Sequence, residues 1–139
     1  LEIELTETTI MANPTMATSV IARPRDIGIR IAIDDFGTGH SSLAYLTTLA
    51  VDELKIDRSF VMTLLRQEES AKIVWIMQTL ADTLGLKTVA EGIEDQKTLD
   101  AIQSIGCNYG QGYHFSRPVP LADVPSLFLN APLANRKVA

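Results

Sequence analysis

Two adjacent carboxylates, Asp34 and Asp35, end an apolar run over residues 29–33, and the glycine-bearing turn Phe36-Gly37-Thr38-Gly39 follows at once. The run is rich in β-branched residues, which predicts a buried strand of a parallel sheet. Two carboxylates at the mouth of such a strand repel each other and lose hydration, so a cation or a shared proton must offset that cost. The alternative is a polar strand-to-helix turn in which Asp35 caps the next segment.

Further polar side chains stand where other predicted strands end. They are two acids around the end of the first strand, a lysine, a third acid and an amide: Glu4, Glu7, Lys55, Glu91 and Gln111. In a barrel of alternating strands and helices, the face formed by the carboxyl ends of the strands carries the chemistry. One acid at a strand end is weak evidence, but polar groups at the ends of successive strands predict a single site.

The elements that must position these residues alternate between strands and helices. Strands are predicted over residues 1–5, 29–34, 51–56, 86–90 and 107–111. Helices are predicted from Asn13-Pro14 to about Arg23, from Ser41 to Leu49, over residues 69–84, from Asp95 to Gly106 and over residues 121–130. Pro24 is expected to end or kink the first helix. The longest helix should end at Gly85 and bury the stripe Ile73, Ile76, Met77, Leu80 and Leu84. This alternation predicts a parallel sheet with helices outside it.

Composition excludes several classes of protein. An apolar content of 46% predicts a packed core, and a net charge of −5 argues against binding of DNA or RNA through a basic surface. Cys107 is the only cysteine, so neither a disulfide framework nor a thiolate zinc site is expected. No apolar stretch is long enough for a membrane span. We therefore expect a cytoplasmic location. Only a segment that precedes Leu1 would anchor the parent protein to a membrane.

The chain begins at Leu1 within a predicted strand, and we expect it to be a piece of a longer protein. Residues 1–130 are predicted to be a portion of one domain, and residues 131–139 a polar tail.

The motifs carry a family resemblance. They are Glu4-Leu5-Thr6-Glu7, Asp34-Asp35-Phe36-Gly37-Thr38-Gly39, Leu54-Lys55-Ile56-Asp57, Val89-Ala90-Glu91-Gly92-Ile93-Glu94 and Gln111-Gly112-Tyr113. In this order and spacing the chain resembles the EAL-domain family of bacterial phosphodiesterases that act on cyclic diguanylate. The resemblance implies an α/β fold, a (β/α)₈ TIM-like barrel of which this chain holds the C-terminal five βα units as an open half-barrel. It also implies that the Glu-Ala-Leu signature and an asparagine ligand precede Leu1.

The resemblance assigns a two-metal site. It implies that Glu4 and Asp34 bind one divalent cation, and that Asp34 bridges to a second cation bound also by Asp35 and, in some members, Glu91. Hard oxygen ligands without a nearby Cys or His pair favour Mg²⁺ or Mn²⁺ over zinc. Lys55 would hold the attacking water among the carboxylates, and Glu91 would be a metal ligand or general base. Without the resemblance, Lys55 could be a snorkelling lysine and Glu91 a helix N-terminal acid.

Three further polar residues receive supporting roles from the resemblance. Gln111 matches the pocket glutamine of the family, although an ordinary turn amide is the simpler interpretation. Glu7 would hold the loop after the Asp pair, and Glu94 would contact substrate or face solvent.

Two departures from the family pattern are His40, where tyrosine is usual, and Pro24, where a helix usually continues.

Three functions are compatible with this sequence. The first is hydrolysis of cyclic di-GMP to linear pGpG, a step in bacterial second-messenger signalling that bears on biofilm formation. The second is an EAL domain that binds cyclic di-GMP or a protein partner without cleaving it. The third is a phosphoacceptor receiver domain, which the spacing of Lys55 from the Asp pair disfavours. The resemblance further implies a homodimer and is compatible with upstream sensor or diguanylate-cyclase-like domains.

The isolated chain should behave poorly on its own. Five of eight barrel strands would leave open edges at residues 1–5 and 107–111, and we expect barrel-facing apolar side chains without their opposite layer. We therefore predict that the isolated 139 residues are inactive and aggregated, partly disordered or self-associated.

Overall fold

A computed structural model describes residues 1–37 and 46–130 of the chain. Five strands form one sheet in the order β1-β2-β3-β4-β5, and every neighbouring pair is parallel. The strands are Glu2–Thr6 (β1), Arg30–Phe36 (β2), Glu53–Ile56 (β3), Lys87–Ala90 (β4) and Tyr109–Gly110 (β5). Because each strand lies beside the one before it in sequence, the sheet grows in one direction, as it does in a βα barrel.

Helices connect the strands. They are Glu7–Ala12 (α1), Pro14–Asp26 (α2), Arg58–Thr63 (α3), Glu68–Leu84 (α4), Gln96–Ile105 (α5), a 3₁₀ helix over Leu121–Asp123, and Val124–Asn130 (α6). Local signals explain several boundaries. The side chains of Asn13 and Asp95 accept hydrogen bonds from the amides of Met16 and Thr98, and Gly85 ends α4 at a φ of 71°.

The structure corrects the predicted helices in three places. Pro24 lies inside α2, which continues to Asp26, because a proline in the last turn only removes the one hydrogen bond that its amide would donate. The short helices α1 and α3 were not predicted. The predicted helix from Ser41 to Leu49 falls largely outside the described residues, as do His40 and the predicted tail over residues 131–139.

The core lies between the outer face of the sheet and the helices. Ile31, Ile33, Leu54 and Ile56 are each at most 2% exposed and share a cluster with helix residues such as Val74. Two large side chains of α4 do not join this core. Ile76, predicted on the buried stripe, is 56% exposed, and its neighbour Trp75 is 58% exposed. The helix turns Val74, Met77 and Ala81 inward instead.

The inner face of the sheet is charged, which corrects the expected apolar inner layer. Successive side chains of a strand point to opposite faces, so Glu4, Asp34 and Lys55 lie on the face away from the helix-covered core. Toward the amino ends of the strands, Arg30 pairs with Glu2 at 3.3 Å and with Glu53 at 2.6 Å. Burial, followed by the neighbouring Glu2 carboxyl, raises the pKa of Glu53 above its ordinary value.

No helix within residues 1–37 and 46–130 has the length and apolar character needed to cross a membrane.

Candidate functional site

One ammonium group gathers the predicted acids at the carboxyl ends of the strands. Lys55 Nζ lies 2.9 Å from Glu4 Oε1, 3.0 Å from Asp34 Oδ1 and 2.7 Å from Glu91 Oε1. The four residues come from the ends of β1, β2, β3 and β4, which the parallel pairing brings side by side. A lysine ammonium carries three donors, so three carboxylates match its full capacity.

The charge of Lys55 is held by this environment. Lys55 is only 5% exposed. Burial by itself would lower the pKa of Lys55, but the carboxylates of Glu91, Glu4 and Asp34 outweigh burial and raise that pKa above its ordinary value. Lys55 therefore stays cationic throughout the physiological range, which suits a residue that must keep several carboxylates together.

Asp35 occupies a strained and crowded position. Its φ is 54°, in the left-handed region that few non-glycine residues adopt. Its backbone amide donates to Asp34 Oδ1 at 3.0 Å. Burial and then the charges of Asp34 and Asp57 raise the pKa of the Asp35 carboxyl, while Lys55 acts in the opposite sense. Such a position gains from a bound cation.

Asp57 also lies beside Asp35, although it was not predicted as a site residue. It follows β3 two residues after Lys55, and its charge is one of the causes that raise the pKa of the Asp35 carboxyl. It also caps α3, since its Oδ1 accepts from the amide of Ser59 at 2.9 Å. The motif Leu54-Lys55-Ile56-Asp57 could have indicated this position. Asp57 follows the strand end that supplies Lys55, and site residues of a barrel gather at such strand ends.

Glu7 supports the turn that follows the Asp pair. It is 2% exposed, and its Oε2 accepts from the amide of Gly37 at 2.8 Å. Gly37 has a φ of 95°, and a side chain there would meet the Met77 methyl at 1.9 Å, so only glycine fits. The predicted role of Glu7 in holding the loop requires such a contact, and the role stays a prediction. The loop beyond Gly37 lies outside the described residues.

Glu94 and Gln111 are not drawn into the Lys55 cluster. Both are exposed, and within residues 1–37 and 46–130 neither side chain makes a hydrogen bond or an ion pair. The backbone of Gln111 is held firmly, because its amide donates to the carbonyl of Ala90 at 2.9 Å and its carbonyl accepts from Ile93 at 3.0 Å. Their predicted contacts with substrate stay predictions.

The donor set fits part of a site for hard cations. Carboxylate oxygens from Glu4, Asp34, Asp35 and Glu91 are the ligands that Mg²⁺ and Mn²⁺ prefer. In the described part of the chain, however, no three acidic, histidine or cysteine side chains are arranged around one point in the way a single ion requires. Lys55 Nζ stands among these carboxylates. The residues therefore fit a cation site in chemistry.

We predict that Asp35→Asn raises the melting temperature of the metal-free domain at neutral pH. Because the folded-state pKa of Asp35 is raised, ionisation of its carboxyl costs stability as the pH rises above the ordinary value of 3.8. Asparagine removes that charge and tolerates the left-handed backbone. The gain should shrink below about pH 3, where Asp35 is protonated in both the folded and unfolded states.

Thermal unfolding of the Asp35→Asn variant at neutral and acidic pH measures this gain. Asp26→Asn, an exposed change at the end of α2, is the matched control. A gain of equal size at both pH values would show that charge repulsion at Asp35 is not its source.

Comparison with known proteins gives consistent matches. Residues 1–118 match the EAL domain family. Cyclic di-GMP phosphodiesterase NbdA of Pseudomonas aeruginosa is 44% identical over 122 residues, which cover 88% of this chain and 16% of NbdA. Bifunctional diguanylate cyclase/cyclic di-GMP phosphodiesterase MucR of the same organism is 42% identical over 118 residues, covering 85% of this chain and 17% of MucR. The solved c-di-GMP complex of the PaMucR phosphodiesterase superposes with a TM-score of 0.86 at 40% identity, covering 89% of this chain and 50% of that chain.

Proposed function

The chain belongs to the EAL domain family, and from this we propose that it is the C-terminal part of a metal-dependent phosphodiesterase domain that hydrolyses cyclic di-GMP to linear pGpG. The chain spans about half the length of the solved PaMucR phosphodiesterase, so the proposal concerns the domain that this chain helps to build. The observation that carries the proposal is the convergence of Glu4, Asp34 and Glu91 on Lys55 Nζ.

Each member of the cluster has a role in this proposal. Glu4 and Asp34 would hold one divalent cation, Mg²⁺ or Mn²⁺, and Asp34 and Asp35 would hold a second, with Glu91 available as a further ligand of the second cation. The bound cations would supply Lewis acidity toward the phosphate and lower the pKa of a bound water. Lys55 keeps the carboxylates oriented through its short contacts, and one of its three donors would hold the attacking water once a carboxylate turns from Nζ to a bound cation. Asp57 reinforces the negative potential beside Asp35 that favours cation binding.

Three residues support this machinery from outside the cluster. Glu7 holds the turn after the Asp pair through the amide of Gly37. Gln111 and Glu94 lie at the rim of the carboxyl face, and we propose that they contact the substrate nucleotide. Glu91 belongs to the cluster itself, and in this proposal it serves as the general base if it is not a metal ligand.

The test uses the intact domain, with the strands that precede Leu1. It is incubated with cyclic di-GMP and saturating Mn²⁺, and the products are separated by chromatography. We expect the linear dinucleotide. Absence of linear product, together with retained binding of cyclic di-GMP in calorimetry, would establish the alternative of a non-catalytic binding module.

The remaining proposals concern the parent protein. We propose that residues 1–130 are one portion of a single EAL domain and that residues 131–139 form a polar tail. A homodimer, a cytoplasmic location of the domain and upstream sensor or cyclase-like regions also stay proposals. The similarity to MucR, which is named as bifunctional, supports the last of these.

We predict that the isolated chain is inactive and self-associates. Its outermost strands, β1 and β5, each have a neighbour on one side only, so backbone groups at both edges are open to pairing with other chains. The charged inner face also lacks the strands that would cover it. Size-exclusion chromatography with light scattering, followed by the cleavage assay, measures both properties. A stable monomer that cleaves cyclic di-GMP would show that the preceding strands are not required.

A further inference from the structure

The loop that follows β4 is fixed at one residue, Ile93, two positions after the site residue Glu91. Ile93 is 0% exposed. Its amide donates to the carbonyl of Gln111 at 3.0 Å, and its carbonyl accepts from the amide of His114 at 3.0 Å. The backbone of Ile93 is thus bonded on both sides to the segment that follows β5.

Two glycines make this close approach feasible. A side chain at Gly112 would lie 2.1 Å from the carbonyl oxygen of Ile93 and 2.4 Å from its nitrogen. A side chain at Gly110 would lie 2.6 Å from Ile93 Cδ1. Any residue larger than glycine at position 112 must push the two backbones apart, whereas one at position 110 meets the terminal methyl group of Ile93, a side chain that is fully buried.

Backbone contacts of the same segments also restrain the position of Glu91. The amide of Glu91 donates to the carbonyl of Ile56 at 3.1 Å, and the carbonyl of Ala90 accepts from Gln111 at 2.9 Å. Gly92 then turns the chain at a φ of 75°, against the Cβ of Arg58. Backbone contacts therefore restrain the chain on both sides of Glu91. The Glu91 side chain then reaches Lys55, with Oε1 at 2.7 Å from Nζ.

We propose that Ile93, Gly110 and Gly112 form a clamp that positions Glu91 against Lys55 and holds Gln111 in a constant place relative to Glu91. Ile93 is a positioning residue in this proposal, because it acts through Glu91 and does not touch reacting atoms. The inference rests on the proposed function for its kinetic measurement, but the geometry of the clamp is independent of it.

The test is a size-complementary pair of substitutions in the intact domain. Gly110→Ala should collide with Ile93 Cδ1, lower kcat by about tenfold, equivalent to about 1.4 kcal/mol of barrier, and weaken Mn²⁺ binding to a similar degree. The KM for cyclic di-GMP should change by less than about threefold. Adding Ile93→Val removes the colliding methyl group, so the double variant should recover to within about threefold of the wild type.

Two further variants separate positioning from a general loss of stability. Gly112→Ala, which meets backbone atoms, should cause a larger loss that Ile93→Val does not rescue. Gly106→Ala lies just before β5 at a φ of 98° with open space around it. It should lower the melting temperature through backbone strain while leaving kcat and Mn²⁺ affinity unchanged.

The outcomes are distinct. Unchanged kcat and Mn²⁺ affinity in Gly110→Ala, or a double variant that fails to recover, overturns the clamp. If the wild-type domain neither cleaves cyclic di-GMP nor binds Mn²⁺, the proposed function fails and a crystal structure of Gly110→Ala decides the clamp. Glu91 Oε1 should then have left hydrogen-bond distance of Lys55 Nζ, and an unchanged distance refutes the inference.

Discussion

Asp34→Asn is expected to abolish cleavage of cyclic di-GMP by the intact domain while leaving its fold unchanged. Asp34 Oδ1 lies 3.0 Å from Lys55 Nζ and accepts the amide of Asp35 at 3.0 Å. An amide oxygen can keep both of these hydrogen bonds. It cannot replace the negative charge that a residue shared by two cations must supply, so cation binding should fail while the local geometry persists.

The expected loss of turnover is far more than tenfold under saturating Mn²⁺. Steady-state kinetics measure the loss, and circular dichroism with thermal unfolding checks the fold. Asp100→Asn, the same substitution on the exposed face of α5, is the matched control and should keep full activity. Turnover above about a tenth of the wild type, roughly 1.4 kcal/mol of barrier, would contradict the bridging role of Asp34.

Lys55→Met is expected to remove activity and also to destabilise the domain. Lysine and methionine side chains are similar in length, so packing changes little. The carboxylates of Glu4, Asp34 and Glu91, however, lose the ammonium group that they share. Breaking a buried ion pair costs roughly 3–5 kcal/mol. We expect a loss of about 3 kcal/mol, toward the lower end of that range, because the Glu4 side chain is 48% exposed and keeps part of its hydration.

The pH dependence of this loss gives a second check. Because the folded-state pKa of Lys55 is raised above its ordinary value of 10.5, its ion pairs contribute fully below that pH. Their contribution is lost as the pH rises through the folded-state pKa. The difference in melting temperature between the wild type and Lys55→Met should therefore be constant from pH 7 to 9 and narrow above about pH 10.5.

A matched lysine on the surface controls for the loss of a positive charge. Lys72 pairs with Glu68 one helical turn away, and the side chains of the pair are 66% and 78% exposed. Lys72→Met should change the free energy of unfolding by about 0.5 kcal/mol or less and leave cleavage intact. Equal effects of the two substitutions in urea denaturation would show that Lys55 has no special place in the site.

Local sequence signals predicted most of the elements. The alternating residues 1–5, the proline after Asn13, the cap at Asp95 and the glycines at 85 and 106 act through contacts within a few residues, so they can be recognised without the fold. The short helices α1 and α3 escaped notice because each forms a turn or two that packing stabilises more than propensity does. The exposure of Trp75 and Ile76 likewise depends on how α4 is rotated against the sheet.

The sequence by itself determined which residues end the strands, because a strand end is marked by a change from apolar to polar residues and by glycine. The tertiary structure decided which of those residues meet. The run over residues 29–33 is apolar apart from Arg30, and the pleat sends Ile31 and Ile33 into the core while Arg30 and Asp34 face the charged inner side. The meeting of Glu4, Asp34 and Glu91 at Lys55, and the close approach of Gly112 to Ile93, depend on the register between neighbouring strands. The alternation of side chains along a strand decides which face each one takes, whereas the points at which side chains of different strands meet depend on packing and hydrogen bonds between the strands.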